Sequence, residues 1–303
     1  MIKKAAEEII YHLTVILAAA MGHLSLSRGR KLGRLLGHLL YLLDRRHRNI
    51  ALENIGKAYE FSKEETENLA RRVFENLGMV LFETAWSLRR SEKKLSPYFR
   101  IIGAENIHYA YREGKGVLAL TAHFGNWELL TPVASLLRHP LRIVYRPLDF
   151  VPLERFICGI RTRFGGEQIP KKKAFRRVLK SLSQKQMVAL LMDQNVAVRE
   201  GVFADFFGHP ACTNKGMALL AVKTKAPVVP VFLRRDAKGF CAHFLPPLPL
   251  MESGDKIKDL EMNTQQYNRV IESFVRRYPE QWFWVHRRWN TKTHYPWPKE
   301  RYK

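Results

Sequence analysis

The sequence predicts an α/β fold in which a mixed, mostly parallel central sheet is flanked by helices. Three observations carry this. Short, continuously apolar runs recur at 117–122, 141–145 and 187–192, as expected of strands buried on both faces of a sheet. Each is followed by turn-forming or polar residues and then by a stretch of helical periodicity, so strands and helices alternate. Each run also delivers a chemically capable side chain to its carboxyl end, namely His123, Arg146 and Asp193. In open α/β sheets ligands bind in the crevice beyond that edge.

From the amino terminus, residues 9–26 are apolar apart from His12, Thr14, His23 and Ser25, and they contain neither a charge nor a proline. Eighteen helical residues reach ~27 Å at ~1.5 Å per residue. That is just short of the ~30 Å hydrocarbon core of a bilayer. A short tilted anchor, a helix lying in the interface and a buried core helix all fit, and residues 1–27 are expected to form a membrane-anchor helix ahead of one α/β domain over 28–303. Basic residues Arg28, Arg30 and Lys31 follow at once, which by the positive-inside rule keeps the bulk of the chain on the cytoplasmic side. A cleaved signal peptide fits less well, because no small-residue cleavage site precedes that basic run.

Leucines 32, 35, 36, 39, 40 and 43 then repeat at helical spacing between basic and glycine positions. Such a basic amphipathic helix suits a membrane surface and suits a packed core equally. Residues 44–54 read as another basic helix. Ser62 and Glu65 form a capping box, and Leu69, Val73, Leu77, Val80, Leu81 and Trp86 continue an apolar face behind it. A short strand is expected at 98–102 and a helix at 107–113, ended by Gly114. Residues 152–164 form a helix carrying Arg161 and Arg163. From Lys171 to Lys185 seven cations occur without an acid, interleaved with apolar residues, a face for anionic lipid, sugar phosphates or an acidic protein. Residues 202–207 and 211–216 read as an aromatic-bearing loop. Its end, Thr213 to Gly216, caps a helix over 217–223 and offers N–H groups and Lys215 to an anion. Strands at 227–234 and 240–245 make a hairpin, a helix runs over 264–278, and alternating aromatic and basic residues follow at 281–289.

The chain has 303 residues, with 51 Lys and Arg against 28 Asp and Glu and a net charge of +23. A surplus of that size predicts an anionic partner: nucleic acid, a negatively charged membrane, a phosphorylated substrate or an acidic protein. The cysteines, Cys158, Cys212 and Cys241, are far apart and form neither a disulfide framework nor a zinc site. No metal is expected. Nucleophile-elbow, Walker, dinucleotide and zinc-hydrolase motifs are absent too, which removes the usual marks of covalent serine catalysis, NTP hydrolysis and zinc hydrolysis.

The most heavily loaded stretch is 117–130, a strand, a turn and a helix start in succession. His123 leaves the strand, Gly125 permits a sharp turn, Asn126 can cap the next helix, and Glu128 falls in its first turn. Glu128 can fold back to accept the imidazole Nδ1–H, leaving Nε2 as a general base for an alcohol attacking an acyl carbon. A buried histidine beside a capping glutamate is the alternative.

HFGNWE, at 123–128, resembles the His-x-x-x-x-Asp/Glu signature of the lipid A biosynthesis acyltransferases, within the lysophospholipid acyltransferase-like superfamily. RRHRNIALENI at 45–55, YRP at 145–147, RTRFGG at 161–166, MDQN at 192–195, FFGHPACTNKG at 206–216, APVVP at 226–230 and PEQWFWVHRRW at 279–289 resemble that family's landmarks in its order. The helix bearing Arg161 has Glu154 where the family has an aspartate. The resemblance implies a glycerolipid acyltransferase-like fold at the cytoplasmic face of the inner membrane, with no cofactor. It implies His123 and Glu128 as catalytic residues and Arg146, Arg161, Arg163, Asp193, Asn214 and Lys215 as substrate-binding. The expected partners are an anionic membrane surface, an acyl carrier protein and a phosphorylated glycolipid acceptor, with no nucleic acid. Two rivals stand beside this: acyl-CoA-dependent acylation of another glycolipid such as a phosphatidylinositol mannoside, and a non-enzymatic basic membrane- or nucleic-acid-binding protein.

Overall fold

A computed structural model describes residues 2–139 and 141–293. Helices α1 (Ile2–Gly22), α2 (Leu26–Leu43), α3 (Arg45–Ala58), α4 (Lys63–Leu88) and α5 (Glu92–Leu95) precede the sheet. Then β1 (Phe99–Ile102), α6 (Ala104–Arg112), β2 (Val117–Thr121), α7 (Leu130–Leu136), β3 (Leu141–Tyr145), α8 (Val151–Arg163), β4 (Glu167–Pro170), α9 (Ala174–Ser183) and β5 (Met187–Leu191) alternate as the sequence predicts. Next come β6 (Gly201–Phe206), β7 (His209–Asn214), α10 (Gly216–Thr224), β8 (Val228–Arg235), β9 (Phe240–Phe244) and α11 (Lys256–Arg277).

The sheet order is β1-β9-β8-β2-β5-β3-β4. Every pairing is parallel except β8 with β9, which are joined as the expected hairpin. β2 lies inside the sheet with all five residues buried, which explains its unbroken apolar run. Two expectations fail. Residues 201–214 are not a loop but a separate antiparallel pair, β6 with β7, in which Phe206 and Phe207 are core. The last helix begins at Lys256, earlier than 264, because Asp255 accepts from the N–H groups of Ile257 and Lys258 and so caps it.

The helical layer is built differently from the leucine pattern. In α2 the buried positions include Gly29, Gly33 and Gly37, while Leu32, Leu35, Leu39, Leu42 and Leu43 are exposed. The glycines let α2 lie directly on α4: a Cβ at Gly78 would stand 2.0 Å from the Gly33 carbonyl oxygen, and one at Gly37 would stand 2.2 Å from that of Phe74. Close backbone approach therefore orients α2, and its leucines face outward. α1 likewise exposes Ile9, Leu13, Ile16 and Leu17 while burying Ala18. It stops at Gly22, and among the described residues no helix is long and apolar enough to cross a membrane. The spanning anchor expected over 9–26 therefore has no support here.

Beneath this layer lies a buried charge cluster. Glu83 of α4 accepts from Arg30 Nε at 2.7 Å, from Arg235 Nε at 2.5 Å and Nη2 at 2.6 Å, and from Asn126 Nδ2 at 3.1 Å. Burial alone would raise its carboxyl pKa, but Arg235 and Arg30 outweigh that and hold it below the ordinary carboxylate range. Asn126 is consumed here and caps no helix, contrary to expectation.

The glycine contact predicts that Gly78→Ala lowers stability by about 2 kcal/mol through overpacking. Gly56→Ala, where a Cβ meets nothing within 4 Å, should instead raise it by about 0.5 kcal/mol. Paired thermal melts check both. Glu83→Gln strands two buried guanidinium groups and should cost about 3 kcal/mol. Because the Glu83 pKa is depressed on folding, its contribution is present above the ordinary carboxylate pKa and is lost as pH falls through the folded value. The acid limb of stability against pH should therefore be shallower in the variant.

Candidate active site

β2 and β5 are parallel neighbours, with Thr121 opposite Leu191 at the carboxyl edge. His123 and Asp193 each lie two residues beyond that pair, so the register brings them together. Asp193, 2% exposed, accepts from His123 Nδ1 at 2.9 Å through Oδ1. Its Oδ2 accepts from the His123 backbone N–H at 3.0 Å and from Trp282 Nε1 at 2.9 Å. Burial pushes the carboxyl pKa up, but the His123 ring, the Trp282 indole and the backbone N–H more than offset this and hold it low. An ionised carboxylate only accepts, so the neutral ring carries its proton on Nδ1 and presents a bare Nε2. No hydrogen bond to Nε2 exists among the described residues, and the ring stands 5.2 Å from that of Trp127 and 5.7 Å from that of Phe283, centroid to centroid.

The turn is held from behind by the aromatic segment at 281–289. The Gly125 N–H donates to the Gln281 carbonyl at 2.8 Å and the Phe283 N–H to that of His123 at 3.1 Å. Gly125 adopts φ +60, and a Cβ there would lie 1.8 Å from the Leu233 carbonyl oxygen. Asn54 of α3 donates to the carbonyls of Trp284 and His286 at 2.7 Å each. Arg288, fully buried, donates to the Gln194 and Cys212 carbonyls at 3.2 Å and to Thr213 Oγ1 at 2.6 Å. Burial lowers its pKa to about 10, which leaves it charged at neutral pH. It fixes the loop after β5 to β7.

Contrary to the expectation from sequence, Glu128 does not orient His123; Asp193, expected to bind substrate, is buried and makes that hydrogen bond. Glu128 instead makes a two-pronged ion pair with Arg161 of α8, Nε to Oε2 at 2.9 Å and Nη2 to Oε1 at 2.7 Å. It also accepts from Trp127 Nε1 at 3.1 Å. Through Trp127, Glu128 and Arg161 remain beside His123, and the Arg161 guanidinium stands 5.6 Å from the Tyr145 ring centroid. The other expected binding residues are more dispersed. Arg146 is exposed and pairs with Asp149 at 3.0 Å, and Arg163 is exposed. Asn214 Oδ1 accepts from the Gly216 N–H at 2.7 Å, turning the chain into α10, and the Lys215 N–H donates to the Glu200 carbonyl at 3.2 Å. Glu154 accepts from the Leu148 N–H at 2.8 Å and thereby shapes the approach to α8. Among the described residues no group of histidine, cysteine or carboxylate side chains could hold a metal.

A mostly parallel sheet with a carboxylate-held imidazole at its strand ends defines an α/β protein with a candidate active site at that edge. The comparison with families makes this specific: the description "Bacterial lipid A biosynthesis acyltransferase" matches residues 3–291, and the chain belongs to that family. It is 28% identical over 266 residues to the lipid A biosynthesis lauroyltransferase of Escherichia coli (strain K12), covering 86% of this chain and 85% of that one. It is 27% identical over 263 residues to the same organism's lipid A biosynthesis palmitoleoyltransferase, covering 86% and 84%. A phosphatidylinositol mannoside acyltransferase of Mycolicibacterium smegmatis is more distant, 24% identical over 200 residues and covering 65% and 64%.

Asp193→Asn keeps the shape but lets the side-chain amide present a donor to Nδ1, which favours the wrong tautomer. Acyl transfer should fall by on the order of ten-thousandfold, beyond what the accompanying loss of stability explains. Steady-state rates beside a thermal melt test this, and an undiminished rate would remove Asp193 from ring orientation.

Proposed function

We propose that this enzyme moves a fatty acyl chain from an acyl carrier protein thioester to a hydroxyl of a lipid A precursor, at the cytoplasmic face of the inner membrane. The observation that carries the reading is the His123–Asp193 pair at the ends of two adjoining parallel strands, in a member of this family. In the proposed reaction His123 Nε2 takes the proton from the acceptor hydroxyl as its oxygen attacks the thioester carbonyl carbon. The carbonyl electron pair moves to oxygen, and Asp193 offsets the charge of the imidazolium that forms. Collapse of the intermediate restores the carbonyl and expels the thiolate, which takes the proton from Nε2.

Glu128 and Arg161 have a separate role in this reading. Both prongs of the pair use Nε and Nη2 of Arg161, so Nη1 is left to face a developing oxyanion or a phosphate. One such donor is commonly worth ~3 kcal/mol in the transition state. The pair holds the guanidinium in place, which makes Glu128 a positioning residue for Arg161.

Charge and exposure support the partners. Lys172 and Lys173 just before α9 and Arg176, Arg177 and Lys180 on it are all exposed, while Val178 and Leu182 are buried. A single-sign face of that kind suits an acidic carrier protein. The exposed leucines of α2, set among basic residues, and the exposed isoleucines of α1 suit a helix layer lying in an anionic membrane surface. Acylation of a mannosylated phosphatidylinositol from acyl-CoA is a second reading, favoured only by the more distant relative.

His123→Ala should abolish acyl transfer while membrane association persists, as measured by mass spectrometry of lipid A from cells carrying wild-type or variant gene and by flotation of the protein with vesicles. Retained acylation would remove the imidazole from the mechanism. Replacing Lys172, Arg176 and Lys180 by Gln should raise KM for the carrier-bound donor roughly tenfold with KM for the acceptor little changed.

A further inference from the structure

One strand away from His123 a second feature of the same sheet edge has no part in the chemistry above. β8 pairs with β2 in parallel, ~4.8 Å away, and its last residue, Arg235, borders a cavity of about 790 Å3 between α2, α4 and the β8–β9 turn. The cavity is lined by the cations Arg30, Lys31, Arg34, Arg72, Arg235 and Lys238 against the carboxylates Glu75, Asp236 and Glu280.

The cations divide into two groups. Arg30 and Arg235 form a buried floor whose donors are already committed. Arg30 donates to Glu83 and to the carbonyls of Asp236 and Gly239, while Arg235 donates to Glu83 and Asn76. Lys31, Arg34 and Lys238 are exposed at the rim, and none of them makes an ion pair among the described residues. Arg72 reaches Glu280 at 3.3 Å.

In the wall, Asn76 is 1% exposed; its Oδ1 is taken by Arg235 and its Nδ2 is sealed from the cavity. The first turn of α2, an 18-residue helix, also lines the cavity at Leu26 and Ser27, and there the free N–H groups and the helix dipole favour an anion. Apolar side chains share the lining, Leu26 and Met79 among them, and the exposed Leu32 and Leu35 of α2 run on from the rim.

We propose that this cavity is a phosphate-binding site that holds a phosphate of the acceptor's sugar headgroup while its hydroxyl reacts one strand away. The assignment of the phosphate to the acceptor rests on the function proposed above; the site itself does not. Rim cations and the free N–H groups at the start of α2 bind the oxygens, the floor arginines add a positive field, and the α2 leucines follow the lipid chains. The cavity also touches the catalytic turn directly, because Gln281 lines it and its carbonyl accepts from Gly125 N–H.

The test uses the full chain in detergent micelles, with Lys31, Arg34 and Lys238 replaced together by Gln. Inorganic pyrophosphate, titrated by calorimetry, should bind the wild type and bind the triple variant at least roughly tenfold more weakly. In steady state the triple variant should show KM for the phosphorylated acceptor raised roughly tenfold, with kcat and donor KM within about twofold. A dephosphorylated acceptor should show the raised KM on both proteins. Equal pyrophosphate affinity in wild type and variant overturns the site. Weakened pyrophosphate binding with an unchanged acceptor KM shows a site for free phosphate and overturns its assignment to the headgroup. Absence of acyl transfer to any acceptor would defeat the proposed function, and the pyrophosphate titration would still decide the site.

Discussion

The carboxylate of Asp193 is the interaction on which the rest of this molecule's functional edge depends. Removing an ion of that size from water costs several kcal/mol even after relaxation. Hydrogen bonds to a charged acceptor return about 1.5–3 kcal/mol each. Asp193 has three, from the ring and backbone of His123 and from Trp282. Together with the charge on the His123 ring they offset that cost and hold the carboxyl low although it is buried. The same three bonds join the end of β2, the end of β5 and the carboxyl-terminal aromatic segment. Charge satisfaction and geometry are thus one requirement: the segment that supplies the third donor must be in place for the imidazole to be held.

Two other buried charges do similar work at a distance. Glu83 gathers Arg30, Arg235 and Asn126, so that α2, α4, β8 and the turn after His123 share one set of hydrogen bonds. Arg288 has no carboxylate within bonding distance among the described residues and relies on carbonyl and side-chain oxygens from β7, the Asp193 loop and α11. Burial accordingly lowers its pKa, whereas the carboxylate partner of Arg161 contributes to raising that group's. Networks of this kind are stabilising only when nearly every member is satisfied. That condition ties residues from both ends of the chain to a turn of six residues.

Much of this was legible in the sequence where the signal is local. The apolar runs of β2, β3 and β5 announce themselves because a strand buried on both faces has no polar alternation to hide behind. The Ser62 capping box is present with both of its hydrogen bonds. Non-local pairing is what the sequence conceals. Glu128 is five residues from His123 and Asp193 is seventy, yet strand order makes Asp193 the partner, and nothing in the spacing states that β2 and β5 are neighbours. The MDQN stretch was visible as polar residues at the end of an apolar run, which is the signal that marks that edge. α2 misleads for another reason. Its leucines have perfect amphipathic spacing, but the glycines between them allow a closer backbone approach to α4 than any leucine would, so the small residues are buried. The β6–β7 pair was lost because its aromatic and turn residues occur as readily in a loop.

The separation of His123 from Glu128 has a chemical consequence. A carboxylate shared between an imidazole and a guanidinium would be drawn toward the permanently charged partner, weakening its hold on the ring. With one carboxylate for each cationic group, the ring's orientation does not depend on whether Arg161 is engaged with a substrate anion. Asp193 is buried and has no route to a ligand, while the Glu128–Arg161 pair keeps some solvent exposure, 13% and 14% for the two side chains. In the proposed mechanism the carboxylate that orients the ring is sealed, 1% exposed, while the ring itself at 22% and the Glu128–Arg161 pair remain reachable. Trp127 stands between them, its ring against His123 and its indole N–H on Glu128, so the two pairs are close enough to act on one substrate and remain electrostatically distinct.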